Sequence, residues 1–199
     1  MYNYIKGRLA AKDPTFAVID VNGVGYELKI SLNTYSKLAV GEECKLYTYL
    51  HVKEDILALF GFSEREEKAL YLHLISVSGI GPSTALAILS SLSVDEVKSA
   101  IVGGDVKTIQ SVKGIGAKTA QRTILELKDK LAKEGVSAGQ VSLDAGVLSK
   151  DAENKSAALD ALMALGLTKA AADKSLRTIM KKHGNGLTVE QMIKYALKN

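Results

Sequence analysis

The middle of the chain repeats itself at a spacing of 35 residues, and this repeat constrains the fold more than any other feature. The segment from Val77 to Ala85 matches the segment from Val112 to Ala120 at Val, Gly, Ile, Gly, Thr and Ala. In both copies, a Gly-Ile-Gly tripeptide joins one predicted helix to the next. Glycine tolerates positive φ and allows close approach of another group to the backbone. The repeat therefore predicts two helical hairpins that turn at Gly-Ile-Gly, with the isoleucine anchored in the core.

These turns have the chemistry of an anion site, because the amides after the second glycine begin a helix and helix N-termini bind phosphate. One Gly-Ile-Gly is common as an ordinary helix cap, whereas two copies in equivalent settings indicate a function. They look like helix-hairpin-helix motifs, which bind the DNA phosphate backbone without reading bases. A duplicated hairpin that only packs is the competing interpretation. The predicted DNA-binding residues are Gly79, Gly81, Ser83, Thr84, Gly114, Gly116, Lys118, Thr119 and Arg122.

The two copies of the repeat differ in charge. Residues 76–94 contain no charged side chain, so the first copy depends on backbone amides and hydroxyl groups. Residues 107–133 hold seven basic and two acidic side chains, a net charge of +5. Lys118 and Arg122 share one helix face at i, i+4, which makes them the candidates for ionic phosphate contacts. The alternative for Arg122 is an ion pair with Glu126, also at i+4.

Residues 1–62 are predicted to form a small β-barrel. Five short runs favour strands, and several of them alternate between apolar and polar residues with period two. Asn22-Gly23, between the second and third runs, predicts a tight hairpin turn. Lys53-Glu54-Asp55, between the fourth and fifth runs, predicts a charged turn. Five strands in a segment of this length favour the five-stranded OB-fold.

Residues 63–134 are predicted to be helical. Two serine–glutamate pairs have the spacing of capping boxes, one proline suits the first turn of a helix, and a pair of glycines suits a helix end. The last and longest helix is predicted from about Ala117 to Lys133. The residues that carry the other signals are Ser63 with Glu66, Pro82, Ser93 with Glu96, Gly103-Gly104, and Asp105 as the cap of a short helix.

Residues 135–154 are poor in large apolar side chains and rich in Gly, Ser, Ala and Val, which predicts a flexible linker. An amphipathic pattern returns in residues 155–199 and predicts a three-helix bundle close to the lower size limit of an independent core. Gly166 suits a helix C-cap there, and Thr188 with Gln191 has capping-box spacing. The sequence thus predicts an α+β multidomain protein with an OB-fold domain, a double-hairpin domain, a linker and a small helical bundle.

Composition excludes several classes of protein. Hydrophobic residues make up 47% and charged residues 24% of the chain, as in ordinary globular proteins. No apolar run reaches the ~18 residues of a membrane span, and the first twelve residues lack the apolar core of a signal peptide. The single Cys44 excludes an internal disulfide and favours the reducing cytoplasm, where we expect the protein. The net charge of +4 is a mild indication of an acidic partner.

No catalytic set is apparent in the sequence. The three histidines lack metal-ligand spacing, and there is no Gly-rich P-loop for ATP. We therefore expect neither a cofactor nor a metal, and no enzymatic activity. Two alternatives stay open: a DNA glycosylase or nuclease that uses the hairpins for positioning, and an OB-fold module for single strands. The second is weakened because the tyrosines of the first domain show no clear stacking platform.

Beyond the repeat, a set of ordered motifs covers nearly the whole chain. The motifs are MYNYIKG at 1–7, VNGVGY at 21–26, HVKED at 51–55, LFGF at 59–62, both Gly-Ile-Gly turns, ELKDKL at 126–131, ALDAL at 158–162 and ALGL at 164–167. The set resembles the RuvA family, the Holliday junction-binding subunits of the bacterial branch-migration complex. The resemblance implies a non-catalytic DNA-binding subunit that acts in recombination and repair.

The same resemblance implies the partners. It implies four-way junction DNA held open and flat by a homotetramer, with one or two tetramers on each junction, and no membrane. Fourfold symmetry suits four duplex arms and multiplies a modest charge by four. It also implies that the C-terminal domain binds the hexameric ATPase RuvB and that the junction resolvase RuvC acts with the complex. The partner-binding residues would be Leu159, Leu162, Leu165 and Leu167.

Glu54 and Asp55 would be the acidic pin, a pair of carboxylates at the junction centre that repels phosphates within a Debye length of about 8–10 Å. For an isolated sequence, a solvated hairpin tip is the alternative. The chain departs from the family pattern at two places. Lys53 stands where arginine usually precedes the pin, which removes bidentate phosphate binding, and Ser83 stands where the first hairpin usually has lysine.

Overall fold

The structure is a computed structural model that describes residues 2–138, 148–184 and 186–198. The chain divides into two compact units, Met1–Gly139 and Gln140–Asn199. Within the described ranges, the first unit holds five strands and six helices, and the second holds three helices. Residues 139–147, which belong to the predicted linker, lie outside the described residues.

The five strands of the first unit close into a barrel in the order β1-β2-β3-β5-β4. The β3–β5 pair is parallel and the other pairs are antiparallel. Inward-facing apolar side chains fill the barrel, among them Leu9, Ile19, Leu28 and Leu46, which are at most 1% exposed. The predicted OB-type barrel is thereby confirmed. The strands are β1 (Tyr4–Asp13), β2 (Phe16–Val21), β3 (Val24–Ile30), β4 (Glu43–Lys53) and β5 (Ile56–Phe62).

Of two connections in the barrel, the sequence predicts one and not the other. Asn22 and Gly23 have φ values of +54° and +86°, as a type I′ hairpin turn requires, so the predicted turn is confirmed. The helix α1 (Leu32–Ser36), between β3 and β4, was not predicted. It is N-capped by the Ser31 hydroxyl, which accepts a hydrogen bond from the Thr34 amide. A five-residue helix is too short to leave a periodic apolar pattern.

Five more helices complete the first unit: α2 (Arg65–Ile75), α3 (Pro82–Ser91), α4 (Val94–Gly103), α5 (Val106–Gln110) and α6 (Ala117–Ala138). The Ser93–Glu96 capping box is formed, and Gly104 ends α4 in the left-handed conformation. Pro82 lies in the first turn of α3, and the Asp105 side chain caps α5. These four predictions are confirmed.

The predicted Ser63–Glu66 capping box is wrong. The helix α2 begins at Arg65, and its N-cap Glu64 makes no side-chain capping bond. Ser63 is still tied to the barrel, because its amide donates to the Thr34 hydroxyl at 3.0 Å. The Ser63 hydroxyl lies 3.5 Å from Oε2 of Glu67, one residue beyond the predicted partner. Tertiary contacts thus move the helix start away from the position that local spacing favours.

The second unit is the predicted three-helix bundle, with α7 (Leu148–Ala164), α8 (Lys169–His183) and α9 (Val189–Lys198). Gly166, at φ +98°, follows α7, and the Thr188–Gln191 capping box is formed. The core of this unit includes Leu162, Leu176, Ile179 and Met192. Helix α6 extends past its predicted end at Lys133, and α7 begins at Leu148, so both ends of segment 135–154 are helical.

Candidate nucleic-acid interface

The first hairpin joins α2 to α3 through the Gly-Ile-Gly turn at residues 79–81. The Ile80 amide donates to the Val77 carbonyl at 3.0 Å, and the Ala85 amide donates to the Gly81 carbonyl at 2.9 Å as α3 begins. The side chains of Val77 and Ile80 are buried in the core of the helical region. These two anchors hold the turn from inside, while both glycines stay exposed.

The second hairpin, between α5 and α6, repeats this geometry bond for bond. The Ile115 amide donates to the Val112 carbonyl at 3.1 Å, and the Ala120 amide donates to the Gly116 carbonyl at 3.0 Å. Val112 and Ile115 are again buried in the same core. The repeat in the sequence is therefore a repeat in the structure, and the prediction of two helical hairpins is confirmed.

The two glycines of each turn serve different purposes. Gly79 and Gly114 have φ values of +96° and +94°, in a region that side chains with a Cβ rarely adopt. Gly81 has an ordinary φ of −86°. A Cβ at Gly81 or Gly116 would meet no atom within 4 Å. The first glycine is thus needed by the backbone, and the second leaves open space at the start of the following helix.

The two hairpins lie side by side. A Cβ at Gly79 would be 3.8 Å from the side chain of Thr119, in the first turn of α6. The N-cap of α3 is Gly81, which has no side chain to bond the first amides of the helix, and Pro82 follows it. The first turn of a helix has amides without an intrahelical acceptor, and these bind anions. The hairpins therefore present two neighbouring helix N-termini on one surface.

The side chains beside these N-termini differ between the hairpins. Ser83 is exposed and Thr84 is half-buried at the start of α3. Lys118 is exposed and forms no ion pair with any residue that the structure describes. Arg122 pairs with Glu126, with 2.6 Å between Nε and Oε1, as the alternative interpretation expects. Since exposed pairs contribute about 0.2–1 kcal/mol, a phosphate can compete for this guanidinium.

Glu54 and Asp55 form the two-residue turn between β4 and β5, and both are exposed. The strands stay paired up to the residues that flank this turn. Val52 and Leu57, a cross-strand pair just below the tip, are 63% and 76% exposed. The hairpin therefore extends past the barrel core and carries its two carboxylates into solvent.

The four leucines predicted to bind a partner are placed differently within the second unit. Leu162 is fully buried, and Leu159 and Leu167 pack half-buried against the same core. Leu165 alone among them is exposed, at 59%. The sequence pattern did not separate these positions, because the exposed Leu165 follows directly after the end of α7 and lies only three positions from the buried Leu162. Among the described residues of this unit, Met163 and Leu197 are also large, apolar and exposed.

Other chemistry is limited in the described part of the chain. No group of three or more His, Cys, Asp or Glu residues lies there that could hold a metal ion. No described helix is long and apolar enough to cross a membrane. Burial, together with the neighbouring Glu43 carboxylate, raises the pKa of the Cys44 thiol. Because the thiolate is the reactive form, this cysteine is less reactive than an exposed one.

A closed five-stranded barrel followed by two adjoining Gly-Ile-Gly hairpins defines the class of the chain as a barrel protein with tandem helix-hairpin-helix motifs. Family models match three parts of the sequence. They are the RuvA N terminal domain at residues 1–61, the SAM-like helix-hairpin-helix tandem at residues 71–129, and the RuvA C-terminal domain at residues 157–199. The chain belongs to the RuvA family.

Relatives match along their whole length. A protein of Cytophaga hutchinsonii is 54% identical over 198 residues, which cover 100% of this chain and 99% of the relative. A protein of Flavobacterium psychrophilum is 47% identical over 199 residues, with 100% of both chains covered. One of Acetivibrio thermocellus is 42% identical over 200 residues, with 100% and 98% covered. Each is named Holliday junction branch migration complex subunit RuvA.

Proposed function

We propose that this protein binds four-way DNA junctions as the RuvA subunit of a branch migration complex. The observation that carries the proposal is the pair of adjoining hairpins, with two helix N-termini and exposed glycines on one surface. Such a surface suits the sugar–phosphate backbone, which has the same chemistry at every base pair. The printed name of the full-length relatives supports the same function.

Each hairpin would hold phosphates in its own way. In the first, the amides at the start of α3 and the hydroxyls of Ser83 and Thr84 donate to phosphate oxygens. In the second, the amides at the start of α6 act together with Thr119 and the ammonium group of Lys118. Arg122 adds a further contact when a phosphate replaces Glu126 as its partner. Because Lys118 is the unpaired cation of this set, salt dependence should be strongest at the second hairpin.

The acidic pin supplies selectivity for the junction. In a homotetramer, four copies bring eight carboxylates to one axis, where the strands of a junction diverge. Repulsion acts on phosphates within about 8–10 Å of these charges. A continuous duplex would have to cross that centre, whereas an open junction leaves it free. The carboxylates therefore disfavour the wrong DNA more than they attract the right one.

The second unit would connect the junction to its motor, the hexameric ATPase RuvB. Leu165 is the exposed one of the four candidate leucines, whereas Leu162 lies in the bundle core and Leu159 and Leu167 pack against that core. Exposed apolar residues of this kind suit a partner helix or hairpin. In this proposal the chain itself is non-catalytic and cytoplasmic, ATP hydrolysis belongs to RuvB, and RuvC resolves the junction.

The partner surface can be tested in the full chain. Leu165→Glu should abolish stimulation of RuvB-driven branch migration while junction binding stays unchanged. Val40→Glu, which places the same charge at an exposed apolar position on the first unit, is the matched control. If both variants stimulate RuvB as well as the wild type, Leu165 does not belong to the partner surface.

Gel-shift titration with a four-way junction, a linear duplex and a single strand tests the main proposal. We expect the junction to bind most tightly and no strand to be cleaved, with or without Mg²⁺. In Glu54→Gln/Asp55→Asn, binding to linear duplex should tighten while junction binding holds, and the effect should shrink as salt rises. Equal affinity of the wild type for all three DNAs would refute junction binding, and cleavage would favour a nuclease.

A further inference from the structure

The short helix α1 contacts the first hairpin at a buried carboxylate. Glu67, in α2, is 3% exposed, and no lysine or arginine of the described residues pairs with it. Its two oxygens accept hydrogen bonds from hydroxyls at α1: Oε1 from Ser31, and Oε2 from Thr34 at 2.7 Å. Burying a carboxylate costs free energy unless it is hydrogen-bonded, so the bonds from these two hydroxyls stabilise Glu67 in its buried position.

The same helix also holds the other arm of the first hairpin. The Asn33 side chain donates both of its amide hydrogens to α3, at 2.7 Å to the Leu89 carbonyl and 3.1 Å to the Leu92 carbonyl. The Leu32 amide donates to the Ser90 hydroxyl at 3.1 Å. Carbonyls at a helix end lack intrahelical donors, so Asn33 acts as an external cap. Helix α1 thus binds the helix before the Gly-Ile-Gly turn and the helix after it.

Helix α2 is joined on the same face to the strands that carry the acidic pin. Tyr71, one helical turn after Glu67, packs its ring against Phe62, Phe60 and Tyr49, with centroid distances of 4.8, 5.3 and 5.6 Å. Tyr49 and Phe60 each lie five residues from the turn, about 17 Å at the rise of a strand. The pin and the first hairpin are therefore connected through one stack of contacts along α2.

We propose that Glu67 and Asn33 are positioning residues that fix the first hairpin relative to the acidic pin and thereby set selectivity for the junction. The inference rests on the proposed function. Apolar contacts let two surfaces slide, whereas hydrogen bonds from hydroxyls to a buried carboxylate fix both distance and direction. If the spacing between the pin and the hairpin varied, a duplex bound at the hairpin could shift so that its other phosphates avoid the carboxylates. Linear duplex would then be rejected less strongly.

The hydrogen-bond network makes Glu67→Gln a sharp perturbation. The Ser31 oxygen already accepts the Thr34 amide at 3.0 Å, and the Thr34 oxygen accepts the Ser63 amide at 3.0 Å. Both hydroxyl hydrogens therefore point to the carboxylate. A glutamine offers one oxygen and one NH₂ group, so one hydroxyl hydrogen loses its acceptor although the side chain keeps its size.

The test compares Kd for linear duplex with Kd for the four-way junction, using the full chain. We expect this ratio to fall severalfold in Glu67→Gln and in Asn33→Ala. Val97→Ala, a core truncation in α4 that touches none of these bonds, is the control for lost stability. If Glu67→Gln does not fold, Thr34→Val carries the same test, because it removes one donor to Glu67 together with the acceptor of the Ser63 amide. An unchanged ratio in the folded variants overturns the inference.

A second measurement separates positioning from general destabilisation. In a protein that already carries Glu54→Gln/Asp55→Asn, adding Glu67→Gln should change the ratio no further, because the charges whose place it sets are gone. Additive losses would mean that Glu67 acts independently of the pin, which overturns the inference. A wild type without junction preference would instead refute the proposed function itself, so the two failures are distinguishable.

Discussion

Alanine substitutions at Gly114 and Gly116 should separate the two purposes of the hairpin glycines. Gly114 has φ +94°, and a Cβ there meets no atom within 4 Å, so backbone strain is the whole cost. A residue with a Cβ pays about 1–2 kcal/mol in the left-handed region. Gly116 lies outside that region and also has open space around a Cβ. Gly-to-Ala changes at compatible positions stabilise by about 0.4–1 kcal/mol through the unfolded state.

The gain through the unfolded state is common to both variants, so we expect Gly114→Ala to be less stable than Gly116→Ala by the backbone strain alone, about 1–2 kcal/mol. Urea unfolding followed by far-UV circular dichroism measures this difference, which corresponds to about 2–4 °C in Tm for each kcal/mol. For DNA binding, we expect the substitution at the second glycine, Gly116, to be harmful although it does not strain the backbone. The methyl group added by Gly116→Ala would occupy the space that a phosphate oxygen would enter, so this variant should bind the junction more weakly without loss of stability.

The first hairpin provides a repeat of the experiment, with Gly79→Ala as the strained variant and Gly81→Ala as the unstrained one. Two results would refute the reasoning. If Gly116→Ala lost as much stability as Gly114→Ala, the second glycine would be needed for folding. If Gly116→Ala bound junctions as tightly as the wild type, no phosphate would approach that position.

Further predictions concern three single side chains. Lys118→Ala should lower the slope of log K against log[salt] by about 0.9 for every junction sequence, whereas Lys194→Ala, on the other unit, should not. Tyr71→Phe should keep or raise the unfolding free energy, because the Tyr71 hydroxyl is buried without a partner among the described residues. Burial, with Tyr49 nearby, raises the pKa of the Tyr71 phenol. Above about pH 10 the phenol therefore ionises in the unfolded chain before it does so in the folded one, and the wild type should lose stability. Tyr71→Phe, which has no phenol to ionise at this position, should lose less stability over the same pH range. Cys44 should react with iodoacetamide more slowly at pH 8 than after unfolding, since its pKa is raised, and equal rates would contradict this.

Many features of the fold depend only on residues close together in the chain, and these features can be predicted from the sequence. The turn at Asn22-Gly23, the Ser93–Glu96 capping box and the positive φ at Gly79 and Gly114 follow from the preferences of the residues themselves. The period-two runs of the first domain predict strands for the same reason. The duplicated Gly-Ile-Gly also predicted both hairpins, because the second copy of a repeat supports the interpretation of the first.

Contacts between distant segments were decided only by the tertiary structure. Spacing favoured a capping box between Ser63 and Glu66, yet the glutamate that the fold buries is Glu67. The hydroxyls that bind Glu67 belong to Ser31 and Thr34, which are more than thirty positions away in the chain and meet it only in the folded protein. The approach of Gly79 to Thr119, which joins the hairpins into one surface, is equally invisible in the sequence. Residue preferences determine turns, caps and periodicity, whereas the choice of which polar group is buried depends on partners that only the folded chain brings together.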